Sequence, residues 1–218
     1  MARGPAINNW QERLNSSKVI KELVLDVGST LVHPVGEPNR IGECLSELGI
    51  NAEVALKLDK KYSHQLDLGL MDYQDIIDEY NEITGNSITV EEYFDKLFKC
   101  INFNTRLIDF CKASPLRKHI LSDNHPHNIE KYEEIQKFSE WTTVQIWSCE
   151  VGVAKPDPRI YQILFEKANV KPEECLFIDD KQRNIDAARE LGMLGIVFEG
   201  NDKLFPKLER LGLLPKPL

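Results

Sequence analysis

Residues 18–30 read KVIKELVLDVGST. The apolar run is short, rich in β-branched residues and closed by a Gly-Ser-Thr turn, which predicts a buried central strand ending at Asp26. Downstream, from about residue 37 to Cys100, the spacing becomes helical. Ile41, Cys44, Leu45 and Leu48 share one face, Tyr73, Ile76, Ile77 and Tyr80 another, and Tyr93, Phe94, Leu97 and Phe98 continue the pattern. This predicts about four helices inserted after the first strand, a helical cap over residues 36–100. Beyond Asn104, short apolar runs alternate with helical patterns, as a parallel sheet with crossover helices requires. The expected runs are Lys118–Leu121, Thr143–Trp147, Cys175–Ile178 and Leu194–Phe198. Helices are expected over Thr105–Lys112, His127–Phe138, Pro158–Lys167, Arg183–Leu191 and Asp202–Leu211. The fold class is therefore α/β, a doubly wound, Rossmann-like parallel sheet whose core spans residues 1–35 and 101–218. The segment around Trp10 reads either as a short helix laid on the core or as a tail.

The chain has 218 residues, with 27 Lys+Arg against 35 Asp+Glu and a formal charge of -8. That balance disfavours polyanions, so no nucleic-acid partner is expected, while a small anion held by a few cations inside a cleft is compatible with it. No apolar run is long enough for a membrane span, and the opening residues lack the apolar core of a secretion signal. The five cysteines, Cys44, Cys100, Cys111, Cys149 and Cys175, form no C-x-x-C pair. They read as reduced packing thiols, and with them the location reads as cytoplasmic.

Four strand ends carry polar groups: Asp26 with Gly28, Ser29 and Thr30; Ser122 with Asp123 and Asn124; Lys155; and the pair Asp179 and Asp180. Each has an ordinary explanation. Asp26 could cap a turn, Ser122 could satisfy a local backbone group, Lys155 could be a surface lysine, and Asp179 and Asp180 could cap the next helix. Together at the carboxyl ends of parallel strands, where such sheets place ligands, they suit phosphoryl transfer. A nucleophilic carboxylate, a lysine counter-charge and a carboxylate-held metal screen the anion under attack.

The segments DVGSTL, ILSDN, EVGVAKPDPRIY and LFIDDKQRNIDAA, in this order, resemble the four motifs of the haloacid dehalogenase-like hydrolase superfamily. The resemblance covers roughly Val19 to Phe198. It implies that Asp26 is the nucleophile and a Mg2+ ligand, that Ser122 holds a phosphate oxygen, and that Lys155 neutralises nucleophile and substrate. It further implies that Asp179 and Asp180 complete the metal site, with the Gly28 carbonyl as another ligand. The expected activity is that of a phosphatase on a small phosphorylated metabolite.

One departure bears on turnover. Phosphatases of the superfamily carry a second aspartate two residues after the nucleophile, which protonates the leaving group; here that position is Gly28. A positioned acid contributes about 10²–10⁴-fold. Hydrolysis restricted to good leaving groups or using another acid, carbon–halogen chemistry, and binding without turnover all stay open. His125 is one candidate acid, because an unperturbed imidazole titrates near neutrality. Related phosphonoacetaldehyde hydrolases also lack the second aspartate and use a cap lysine to form a Schiff base, but Lys57, Lys60, Lys61, Lys96 and Lys99 of the cap read as solvated. Asp123 stands where asparagine is common, and would repel an anion unless it turns away; Asn124 could take over its polar contact with substrate.

Overall fold

The computed structural model describes residues 19–34 and 40–214; the segment around Trp10 lies outside them. Five parallel strands form the main sheet: β1 (Glu22–Leu25), β4 (Arg117–Ser122), β5 (Val144–Trp147), β6 (Cys175–Asp179) and β7 (Leu194–Val197), in the order β5-β4-β1-β6-β7. Strand β1 is central, pairing Leu25 with Ile120 on one side and with Ile178 on the other. Its residues are buried on both faces, which is why the sequence shows a continuous apolar run there rather than alternation.

Alternate residues of these strands feed two cores. Leu23, Leu25, Ile120 and Ile178 pack with Leu107 and Ile108 of α5 (Thr105–Ala113) and with Leu204 and Leu208 of α11 (Asn201–Arg210). Val24, Leu121 and Phe177 pack on the opposite face with Ile160 and Leu164 of α9 (Pro158–Ala168) and Ile185 of α10 (Gln182–Glu190). Helix α6 (Pro126–Gln136) and the short α7 (Phe138–Trp141) follow β4, and α8 (Ser148–Val151) follows β5. The doubly wound α/β expectation matches this architecture.

Between β2 (Val32–Pro34) and β3 (Ile101–Phe103) the described residues form four α-helices: α1 (Ile41–Glu47), α2 (Ala52–Asp67), α3 (Tyr73–Thr84) and α4 (Val90–Leu97). They bury their own cluster, in which Leu45, Leu58, Tyr73, Ile76, Ile77, Tyr80, Tyr93 and Phe94 meet. Asn51, Asp72 and Thr89 cap α2, α3 and α4, and Thr89 forms a reciprocal capping box with Glu92. Strands β2 and β3 pair antiparallel as a two-stranded ribbon that the sequence reading did not foresee.

The cysteine expectation needs correction. Cys44 of α1 and Cys100, in the single 3-10 turn before β3, form a disulfide, with a Cα–Cα distance of 5.6 Å. They are 56 residues apart, and only the packing of the insertion brings them together, so spacing gave no sign of the pair. Cys111, Cys149 and Cys175 are free. The cytoplasmic expectation loses the support it drew from five reduced thiols. Among the described residues, no helix is long and apolar enough to cross a membrane.

Candidate active site

Parallel register carries the expected residues to one edge of the sheet. Asp26 follows the last residue of β1, and its backbone N–H donates to the Ile178 carbonyl at 3.0 Å. Ser122 ends β4 and Asp179 ends β6, each beside the central strand. The Ser122 hydroxyl donates to Asp26 Oδ1 at 3.0 Å. Lys155, in the loop before α9, is 5% exposed. Its Nζ donates to Asp26 Oδ1 at 2.6 Å, to Asp179 Oδ2 at 2.7 Å and to the Leu121 carbonyl at 2.9 Å. All three ammonium donors are thereby used, which a buried lysine requires.

Carboxylate oxygens of Asp26, Asp179 and Asp180 lie within 4.8 Å of one another. Burial raises the Asp26 pKa to about 6; Lys155 pulls it back, while Asp179 and Asp180 push it further up. Burial raises Asp180 as well, with Lys181 opposing. Burial alone would lower Lys155, but Asp26, Asp179 and Asp123 hold it above its ordinary value. Asp179 is further fastened by the Lys181 N–H at 2.7 Å and by Asn184 Nδ2, which reaches both its oxygens at 3.0 Å. Asn184 was not singled out in the sequence; its place five residues after Asp179, on the first turn of α10, was the available signal.

Asp123 Oδ1 accepts the Lys155 backbone N–H at 2.8 Å, so it positions the lysine loop. Asn124 Oδ1 accepts from Asn128 Nδ2 at 2.8 Å and from the His125 N–H at 3.3 Å. The side chain expected to contact substrate is thus engaged by its own loop and by the first turn of α6. His125 is packed beside Tyr73 and Phe94, with ring centroids 5.0 and 5.5 Å away. Burial pushes its pKa down to about 3, which disfavours it as a proton donor near neutral pH. At Gly28 an added Cβ would meet nothing within 4 Å. Lys61 pairs with Glu79 and Lys96 donates to the Leu48 carbonyl, whereas Lys57, Lys60 and Lys99 are exposed.

Beside the Ser122 loop opens a cleft of about 330 Å3, walled by Leu66, the 69–73 segment and Asp75 on one side and His125, Pro126 and His127 on the other. The insertion and the segment after Ser122 thus enclose an open cleft, whose walls do not include Asp26, Lys155 or Asp179.

The chain is 25% identical to D-ribitol-5-phosphate phosphatase of Bacteroides thetaiotaomicron, over 80% of this chain and 89% of that protein. It is 37% identical to flavin mononucleotide hydrolase 1 of Arabidopsis thaliana over 90 residues, covering 41% of this chain and 37% of that one. With acyl-CoA dehydrogenase family member 10 of Mus musculus it shares 28% identity over 60% of its own length, but spans only 13% of that protein. Among solved structures, a haloacid dehalogenase-family enzyme of B. thetaiotaomicron in complex with magnesium and inorganic phosphate aligns with a TM-score of 0.70 and 24% identity, over 85% of this chain and 99% of that one. L-2-haloacid dehalogenase of Xanthobacter autotrophicus aligns with a TM-score of 0.60 and 17% identity, over 90% and 85%. A family model for haloacid dehalogenase-like hydrolases matches residues 20–192, so the chain belongs to that family.

Proposed function

We propose that the chain is a Mg2+-dependent phosphatase acting on a small phosphorylated compound, with Asp26 as the nucleophile. The observation that carries this reading is the shared lysine: Asp26 and Asp179 both accept from Lys155, and Asp180 stands in the same carboxylate cluster. The cluster fits a small hard dication. Its donors are all oxygens, two of the three carboxylates are buried, and three like charges so close are costly without a cation beyond the lysine. Asp26 and Asp180, with Asp179 and the Gly28 carbonyl, would hold the ion. When bound, Mg2+ supplies charge neutralisation at the phosphoryl oxygens.

The protein's own groups define the rest. Lys155 keeps Asp26 ionised despite its burial and would neutralise a phosphate oxygen. Ser122, already bonded to Asp26, would donate to another. Asp26 attacks phosphorus in line with the leaving oxygen, and water then hydrolyses the acyl phosphate. The four-helix insertion acts as a cap, and the cleft beside it takes the organic part of the substrate. The names of the phosphatase relatives agree with this class of substrate.

Gly28 favours one rival, a family member that binds phosphate and metal without turnover. A dehalogenase is disfavoured because attack on carbon has no use for a three-carboxylate cation site. The deciding assay is Mg2+-dependent phosphate release from 4-nitrophenyl phosphate and acetyl phosphate by wild type and Asp26→Asn. Turnover by wild type alone supports the reading. No turnover, with Mg2+ binding retained in calorimetry, favours the binding protein.

A further inference from the structure

The cleft between the insertion and the segment after Ser122 has a charge pattern that bears on what a substrate carries besides its phosphate. Asp72 and Asp75 stand in its wall. Asp72 caps α3, accepting the Gln74 N–H at 2.8 Å, and Asp75 lies in the first turn of that helix. Three residues apart, they share one side of the turn. Acidic residues at a helix N-terminus are ordinary on their own, because the helix dipole favours them there. The opposite wall sets these two apart. His125 lies in it, 7% exposed, and its Nδ1 is buried with no hydrogen-bond partner among the described residues. A buried ring nitrogen left unpaired is costly, and a ligand group that reaches it removes that cost. Burial keeps the imidazole uncharged near neutral pH, so one of its nitrogens offers a lone pair. Tyr73 also walls the cleft, its ring centroid 5.0 Å from that of His125. Among the described residues that line the cleft, none is Lys or Arg.

The chain itself ties this cleft to the nucleophile. The Ser122 hydroxyl is 3.0 Å from Asp26 Oδ1, and His125 follows Ser122 by three residues, which span at most about 11 Å. A phosphate at Asp26 and a group against His125 can therefore belong to one small molecule. Resting on the phosphatase reading, we propose that the organic part of the substrate carries an ammonium group, which this cleft binds through Asp72, Asp75 and the His125 imidazole.

The chemistry of the walls matches that group. A primary ammonium has three donors and no acceptor, and two carboxylates with one imidazole lone pair supply three acceptors. The Tyr73 ring adds a face that attracts cations, and Leu66, Leu70 and Met71 cover a carbon stem. A second phosphate or a carboxylate in the same place would meet two carboxylates and no lysine or arginine from the described walls. The substrate class is therefore a phosphomonoester of an amino alcohol or amino sugar rather than a diacid. Asp72 and Asp75 are both exposed. Water weakens their pull, so the preference for a cation over an anion should be about tenfold and should shrink as salt is added. The sequence concealed the site because Asp72 and Asp75 read as helix-start residues, and His125 joins them only in the folded chain.

The test uses the full chain with Mg2+ and three aryl phosphates of like shape: 4-(aminomethyl)phenyl, 4-(hydroxymethyl)phenyl and 4-carboxyphenyl phosphate. Their phenolic leaving groups are similar, so the glycine at position 28 affects all three alike. Wild-type kcat/KM is expected to fall in the order ammonium, hydroxyl, carboxylate, with about tenfold between first and last, carried mainly by KM. In the double variant Asp72→Asn with Asp75→Asn, the ratio of the ammonium to the carboxylate substrate should drop below about threefold. Taking the ratio within each protein cancels any general loss of activity. Asparagine keeps the cap on α3, and circular dichroism checks the fold. Should the double variant fail to fold, Asp75→Asn alone, at an exposed position, should remove about half of the preference on a logarithmic scale. A ratio unchanged by the substitutions overturns the ammonium assignment and leaves the phosphatase reading standing, as does a wild type that favours 4-carboxyphenyl phosphate or does not discriminate. A wild type that hydrolyses neither these three nor 4-nitrophenyl phosphate overturns both.

Discussion

Lys155 Nζ lies 2.6 Å from Asp26 Oδ1, across 129 residues of sequence. The same nitrogen reaches Asp179 at 2.7 Å, so one buried cation ties the central strand to the loop before α9 and to strand β6. The contact serves stability as well as chemistry, because without it two carboxylates would face each other in a dry environment.

Lys155→Met should therefore cost the metal-free protein about 3–5 kcal/mol, the usual loss when one partner of a buried ion pair is removed. Saturating Mg2+ should return a larger share of stability to the variant than to wild type. Urea denaturation with and without Mg2+ measures both. A loss unaffected by Mg2+ would mean that the carboxylates do not hold the ion.

Gly28→Asp should fold almost as well as wild type, since nothing lies within 4 Å of the added Cβ. Phosphatase activity should rise, most on substrates with poor leaving groups. Parallel melting curves and phosphate-release assays check the two halves of the prediction separately.

His125 should make stability fall in acid. Its folded pKa, about 3, lies below the unfolded value of 6.5, so between these values the unfolded chain binds the extra proton. The stabilisation is complete above about pH 6.5 and is lost as pH drops towards 3, at up to about 1.4 kcal/mol per unit. In His125→Gln the difference in stability between pH 7 and pH 5 should shrink by about 2 kcal/mol. Urea midpoints at the two pH values test it.

Reducing Cys44–Cys100 should destabilise the insertion. Chain entropy for a closed loop of this span predicts about 4 kcal/mol. Calorimetry with and without reductant, using Cys44→Ser as the control, should show a reductant-sensitive melting temperature in wild type only.

Strand β1 was legible because it is buried on both faces, and α3 because Tyr73, Ile76, Ile77 and Tyr80 keep helical spacing into one core. Asp26, Ser122, Lys155 and Asp179 were legible as a group because parallel register leaves few places for strand-end residues to go. The ribbon of β2 and β3 was hidden, since three residues are too few to show alternation. The engagement of Asp123 by the Lys155 N–H depends on where the Lys155 backbone passes, and that is set by tertiary packing. A residue such as Asn184 gains its meaning only from a partner across a helix turn.

The β2–β3 ribbon has a consequence for how such a molecule can change over generations. The chain departs for the insertion at Pro34 and returns at Ile101, and these two residues are register partners on adjacent strands. Neighbouring strands are about 4.8 Å apart, so a tight turn could join them if everything between were cut out. The whole helical segment plugs into the sheet through one narrow socket. Lengthening, swapping or shortening it leaves the carboxylate cluster untouched, while changing which molecules fit the cleft.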